Sequence, residues 1–434
     1  MFAFKRRIIF SFVLICGFLF MAGSACGLDW KQDETAGDPQ IVPYLIQFNW
    51  GAGSGAITMY DPCTYAPIET PEFNPRGHLN NPAAYVRGSI LTIKVKWYVR
   101  WGTVTEATVA AKGDLGGLPP TRVTFSGQYS DWVTMTPPNP LPDAIEHLNI
   151  TWQWSYKIGS TSPERTGRTQ HTIYVLNKLP LTSPVYQPLA DWTTQWCEGL
   201  PDDAKTLADA ILAGFASTGV IKYGASGWDT AEILCSGDGM CGGMKEVFYD
   251  ACGTQGVHVA RSCYILQDAD PSAEYKWNSM IIFAPGLGRT EPTFSAQEIR
   301  EVDTVYPCPI YLGDTSSSDD VYAETRKAYE FFAPYDGHCI NFLEYGGALY
   351  LYDLSFGTGP WPETFTSLPS GNMSGLALYG FRTNYMNMAL DYMRGKIYYN
   401  AGSGCTSLKT NLDINTEIIP YDNDEFKYSW STTP

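Results

Sequence analysis

Alternation of apolar and polar residues governs the first part of the chain. Ser89–Val99 and Leu148–Tyr156 switch character at nearly every step and are rich in β-branched and aromatic side chains, and Arg168–Val175 repeats the pattern. A period of two predicts half-buried strands. Turn-forming clusters at Gly113–Pro120 and Pro137–Pro142 separate these runs. From Ile41 to Pro180 no helical period interrupts them, so residues 39–180 are expected to form a β-sandwich of immunoglobulin-like architecture. The Cys–Trp–Cys core signature of antibody domains is absent, and the expectation concerns architecture alone.

The period changes after Lys178–Pro184, a linker by composition. Asp202-Asp203 can cap a helix running to about Thr218, with Leu207, Ala208, Ile211 and Phe215 on one face and Gly219 as its stop. A second helix is expected from near Gly239, with Asp238 as N-cap. Its apolar face is Met240, Met244, Val247, Phe248 and Ala251, its polar side is Lys245, Glu246 and Asp250, and it ends at Gly253. A strand follows at His258–Leu266. Gln267–Asp336 is a long region of Pro, Gly, Ser and Asp runs with one helix expected near Val321–Phe332. Two alternating runs, Ile340–Tyr345 and Ala348–Tyr352, then flank Gly346-Gly347, a hairpin signal. The fold class expected is α+β, with a second domain over residues 185–434.

Bulk properties narrow the function classes. The 434 residues exceed one average domain, and 44% hydrophobic with 17% charged residues fits folded cores. A formal charge of −16 argues against nucleic acid or an anionic membrane as the main partner. Lys5-Arg6-Arg7 followed by the apolar Ile8–Ala22 has the form of an export signal, expected over residues 1–27. Cleavage after Ala25 would expose Cys26 as a lipid acceptor and a tether to a membrane. Cleavage after Gly27 is the alternative. The protein is therefore expected to be secreted or held at the cell surface or in the periplasm, where cysteines pair. Beyond the signal and Cys26 the cysteines are Cys63, Cys197, Cys235, Cys241, Cys252, Cys263, Cys308, Cys339 and Cys405. An odd number leaves one thiol over, and the connectivity stays open.

Cys241 is the best candidate for that thiol. At a helix start, unpaired N–H groups and the helix dipole favour a thiolate, and the backbone N–H of Cys241 could stabilise an oxyanion. Gly239, Gly242 and Gly243 leave its approach open, although glycines also serve close packing. The chain has five histidines. His338 lies at one end of the expected hairpin and Asp353 at the other. A two-residue turn pairs Tyr345 with Ala348 and gives 338 and 353 one face, whereas a three-residue turn separates them. In that geometry Asp353 orients His338, which activates Cys241 for attack on an amide or ester carbonyl.

A helix, then Gly239-Met-Cys241 heading a second helix, a strand at Gly256-Val-His-Val-Ala-Arg261, and His338 followed by Asp353 together resemble the transglutaminase-like superfamily. The resemblance spans about Leu189–Phe356. It implies a papain-like arrangement with the nucleophile helix packed on an antiparallel sheet, and a catalytic triad of Cys241, His338 and Asp353. Two departures stand out: Ile340 replaces the usual aromatic after the histidine, and 97 residues separate Cys241 from His338. Trp228 and Tyr223 are candidates for a further oxyanion donor. The function implied is an exported cysteine peptidase or amidase acting on a protein or peptide through a thioester, with no metal or cofactor. A cross-linking transglutaminase, or a non-catalytic surface protein on the same fold, are the alternatives. Cys241 bonded to Cys235, or His258 as the base, are the competing local readings.

Overall fold

The computed structural model describes residues 39–48, 55–265, 282–285, 329–331, 338–355, 357–363, 398–399 and 428–431. The expected export signal and Cys26 lie outside them, as does most of the expected helix at 321–332. Its described part, Tyr329–Phe331, is instead a strand paired with Ile282–Pro285, in keeping with the β preference of its aromatic residues.

The first part of the chain supplies β1 (Gln40–Gln47), β2 (Ala56–Ile57), β3 (Met59–Tyr60), β4 (Phe73–Asn74), β5 (Leu79–Asn80) and β6 (Ala83–Val86). It continues with β7 (Ile93–Trp101), β8 (Glu106–Gly113), β9 (Leu118–Ser126), β10 (Tyr129–Ser130), β11 (Val133–Met135), β12 (Glu146–Lys157) and β13 (Glu164–Leu176). All but β3 belong to one curled sheet of 12 strands, mostly antiparallel. It is continuous because β9 pairs with β8 on one side and β10 on the other. Along β7 the alternation read from sequence is seen directly: Ile93, Val95, Trp97 and Val99 are buried, while Lys94, Lys96, Tyr98 and Arg100 stay half-exposed. Inside the curl, Trp97 meets Trp154 edge-on at 5.2 Å, and Trp154 donates through Nε1 to the Thr169 hydroxyl at 2.8 Å. His171 is fully enclosed beside Phe48 and Phe73, and burial lowers its pKa to about 3, so the ring is neutral.

The second part begins with β14 (Val185–Tyr186), which pairs in parallel with β3 and so fastens the junction to the first part. Then come α1 (Gln187–Trp196), α2 (Ala204–Thr218), β15 (Lys222–Gly227), α3 (Thr230–Ser236), β16 (Asp238–Gly239) and α4 (Cys241–Thr254). β17 (Ala260–Ile265), β18 (Ile282–Pro285), β19 (Tyr329–Phe331), β20 (His338–Tyr345), β21 (Ala348–Asp353), β22 (Thr358–Glu363), β23 (Tyr398–Tyr399) and β24 (Tyr428–Ser431) complete the described elements. An antiparallel sheet runs in the order β22-β21-β20-β17-β24. The whole is a mixed α+β structure.

Helix α2 forms where the sequence places it. The Asp203 carboxylate accepts from the Thr206 N–H at 2.8 Å, and Gly219, left-handed at φ 62°, ends the helix. Helices α1 and α3 were not expected. Pro188 at the first turn marks α1. Asp229, the N-cap of α3, accepts from the Glu232 N–H, while the Glu232 carboxylate accepts from the N–H of the preceding Trp228.

The two parts are bound by more than the linker. Leu181 donates to the Gly253 carbonyl and Asn177 to the Gln255 side chain, both at 2.9 Å. Asp202 accepts from Asn177 and pairs with Lys178 and Arg87; these partners hold its carboxyl below the usual range, the Asn177 hydrogen bond contributing most. A disulfide joins Cys63, after β3, to Cys235 on α3.

Candidate active site around Cys241

Cys241 is the first residue of α4, not the third. Asp238 cannot cap the helix because its backbone is extended and paired with Lys222 in the parallel β15–β16 bridge. Met240 occupies the N-cap, with no side-chain cap, and its N–H donates to the Gly227 carbonyl at 3.1 Å. A thiol at the first helical position faces the unpaired N–H end of the helix, where the dipole favours negative charge. Cys241 is half-buried and is a thiol, as are the buried Cys197 and Cys252. Since Cys235 is joined to Cys63, the competing pairing of Cys241 with Cys235 is not the one found. Burial pushes the Cys197 thiol up to about 12 and raises that of Cys252 as well, so both are chemically quiet.

The glycines near Cys241 divide into two kinds. A Cβ at Gly239 would collide with Ile233, and one at Gly243 would stand 2.8 Å from the Gly227 carbonyl oxygen. These two exist to let the β15–α3 turn lie against the mouth of α4. Gly242 has nothing within 4 Å of its Cβ position and leaves the approach open.

Helix α4 has no solvent-facing polar side. Lys245, expected there, is buried at 5% exposure, because α1, α2, α3 and the sheet surround the helix. Its Nζ bonds Glu246 Oε1 at 2.6 Å. Residues four apart share a helix face, so Lys245 stands one turn along α4 from Cys241. Sequence patterning missed it by treating lysine as an outward residue. Asp250 is likewise engaged, accepting from the Thr230 hydroxyl.

The hairpin has the register read from sequence. Tyr345 pairs with Ala348 across Gly346-Gly347, at φ 62° and 79°, and the ladder runs on to Asn341 with Tyr352. Continued outward, that register gives positions 338 and 353 the same parity, shared with Ile340, Phe342 and Leu351. His338, described by its backbone, opens β20 opposite Ile265. Asp353 closes β21 and is fully buried.

The face that meets the helices is the other one. Asn341 donates from Nδ2 to the Lys245 carbonyl at 3.1 Å, Tyr352 stacks on Phe248 with ring centres 5.1 Å apart, and its hydroxyl donates to Asp209 at 2.7 Å. Leu343 and Leu354 join the same core. The fold thus brings the hairpin onto α4, with Asn341 as the link one turn from Cys241, while 338 and 353 alternate away from that contact.

The other candidates are distributed around this centre. Trp228 is 64% exposed on the turn that lies against Gly243. Tyr223 is buried under α3 and α4. His258 is exposed, in the connection after α4. Among the described residues there is no cluster of three or more metal-ligating side chains, and no helix is long and apolar enough to cross a membrane. Comparison of the chain with protein-family models, curated proteins and solved structures finds no match in any of the three.

Proposed function

We propose that this protein is an exported, cysteine-dependent acyl-transfer enzyme of transglutaminase-like type that cleaves amide bonds in a protein or peptide. The observation that carries this reading is the half-buried Cys241 thiol at the first position of α4, with the buried Lys245 one turn further along the same helix. In the proposed reaction the Cys241 thiolate attacks the carbonyl carbon and the C–N bond breaks. His338, oriented by Asp353, passes its proton to the leaving amine. The thioester left on Cys241 is released by water, or by an amine in a cross-linking variant. The curled sheet, read as an immunoglobulin-like domain, and an N-terminal lipid at Cys26 would hold the enzyme outside the cytoplasm.

The test is alkylation of Cys241 by iodoacetamide, followed by mass spectrometry from acid to alkaline pH. An ordinary cysteine ionises near pH ~8.5. Cys241 is expected to react well below that in the wild type and to return to the ordinary range in His338→Ala. Cys197 and Cys252 serve as silent internal controls. An unchanged profile in His338→Ala removes the histidine from the reaction. Cys241 labelling no faster than thiols of the unfolded protein removes the enzyme.

The parity of the hairpin favours one other reading: a non-catalytic surface protein in which 338 and 353 serve the layer beyond the sheet. It predicts that a peptide library incubated with the protein and an amine donor yields neither cleavage nor amide exchange.

A further inference from the structure

The sheet half made of β1, β4, β5, β7, β10 and β11 contains no aspartate or glutamate in any strand. This is unusual in a chain with 45 acidic and 29 basic residues. Among the described residues, the acidic ones next to these strands are Glu72, buried and accepting from the Phe48 N–H, and the exposed Asp131. The outward positions of β7 are Lys94, Lys96, Tyr98 and Arg100, an alternating row of cations around one aromatic.

Neighbouring strands add aromatic rings to that row. Tyr129 of β10 pairs with Tyr98, their ring centres 5.1 Å apart, and Tyr44 of β1 lies 5.3 Å from Tyr129. Arg76, from the β4–β5 turn, rests 4.5 Å above the Tyr98 ring and donates to the Tyr129 hydroxyl at 3.3 Å. Trp101 ends β7 at 43% exposure with Arg100 above it. Trp132 is 39% exposed and precedes Val133, which pairs with Val95. Cations interleaved with half-exposed tyrosine rings thus line the outward side of β7 and its neighbours, with the exposed Trp101 and Trp132 at its margins.

We propose that this face binds an anionic polysaccharide built of uronic acids. Ring faces of tyrosine and tryptophan accept the C–H faces of sugars, and the flanking ammonium and guanidinium groups meet the carboxylates. Charge density separates this partner from its rivals. Duplex nucleic acid carries a charge every ~1.7 Å, so the chain's overall −16 opposes it more strongly than a less densely charged polyanion. A polyuronate carries one charge per ring, and each ring also offers an apolar face. The face stands apart from Cys241, and the proposal holds whether or not that thiol is a nucleophile.

The test is affinity electrophoresis of the full chain in gels containing polygalacturonate, with neutral dextran, dextran sulfate, duplex DNA and phosphatidylserine vesicles as separate arms. Polygalacturonate is expected to retard the protein, less so as salt rises, while dextran leaves it unmoved. The triple variant Lys94→Gln, Lys96→Gln, Arg100→Gln should weaken retardation about tenfold with an unchanged circular dichroism spectrum, since all three side chains point outward. Tyr98→Ala should weaken it as well. No retardation, equal retardation of the triple variant, or equal or tighter binding to dextran sulfate, DNA or vesicles overturns the proposal.

Discussion

Gly242 and Gly243 are adjacent in α4, and alanine should act on them in opposite directions. At position 243 the new Cβ would stand 2.6 Å from Ile233 Cδ1, 2.8 Å from the Gly227 carbonyl oxygen and 3.0 Å from the Trp228 carbonyl carbon. Carbon atoms at rest lie about 3.5–4.0 Å apart, so these contacts are too short by roughly half an ångström to an ångström. The Ile233 methyl can rotate away. The two backbone atoms cannot, because Gly227 is held by the Met240 N–H at 3.1 Å and the turn leads straight into α3. Overpacking of this kind costs about 1–3 kcal/mol, and weakening the Met240 bond adds about 1 kcal/mol. Helix propensity returns up to about 1 kcal/mol. Gly243→Ala should therefore destabilise by roughly 1–3 kcal/mol. At 242 nothing lies within 4 Å, only the propensity gain remains, and Gly242→Ala should be neutral or stabilising by up to ~1 kcal/mol. Urea unfolding of the disulfide-intact protein, followed by tryptophan fluorescence, reads the difference as a midpoint separation of about 1 M. Equal midpoints, or the reverse order, would refute the close-packing account of the α4 mouth.

Two further outcomes follow from groups outside the site. His147 Nε2 lies 3.1 Å from Asp191, and that hydrogen bond raises the histidine pKa above its ordinary 6.5. A raised pKa stabilises fully below the unfolded value, and the contribution is lost as pH rises through the folded one. Stability should fall from about pH 6.5 upward in the wild type and lose that slope in Asp191→Asn; denaturation curves with the same slope in both proteins would count against the pair. The Cys63–Cys235 bond closes a loop of 172 residues. The paired variant Cys63→Ser, Cys235→Ser should lose about 2–4 kcal/mol, measured by urea unfolding, and an unchanged midpoint would show that the bond constrains nothing.

The parts of this fold that were legible in sequence are those set by near neighbours. The Gly346-Gly347 turn fixes the parity of its hairpin because strand periodicity propagates from one point, and Asp203 and Gly219 bound α2 through bonds within a turn of themselves. The failures concern long-range packing. Lys245 reads as an outward residue until four elements are seen to enclose α4. Asp238 reads as an N-cap until its backbone is claimed by Lys222 of β15. Shared parity of 338 and 353 is a local fact, whereas the choice of face for α4 depends on Asn341, Tyr352 and Leu343 fitting that helix better. The helices α1 and α3 carried cues in Pro188 and in the Asp229–Glu232 pair, but α3 spans only seven residues, too few for a period to emerge.

The Cys63–Cys235 bond changes what a cut in this chain means. A protease acting anywhere between those residues, including the Lys178–Pro184 junction, breaks the polypeptide without parting the pieces. The nicked molecule would migrate as one band on a non-reducing gel and as two after reduction. A truncation made at that junction would do the reverse, leaving Cys63 and Cys235 as unmated thiols on separate fragments. Each would be exposed and prone to wrong pairing, so the two halves are safer to study as one nicked chain than as two recombinant ones.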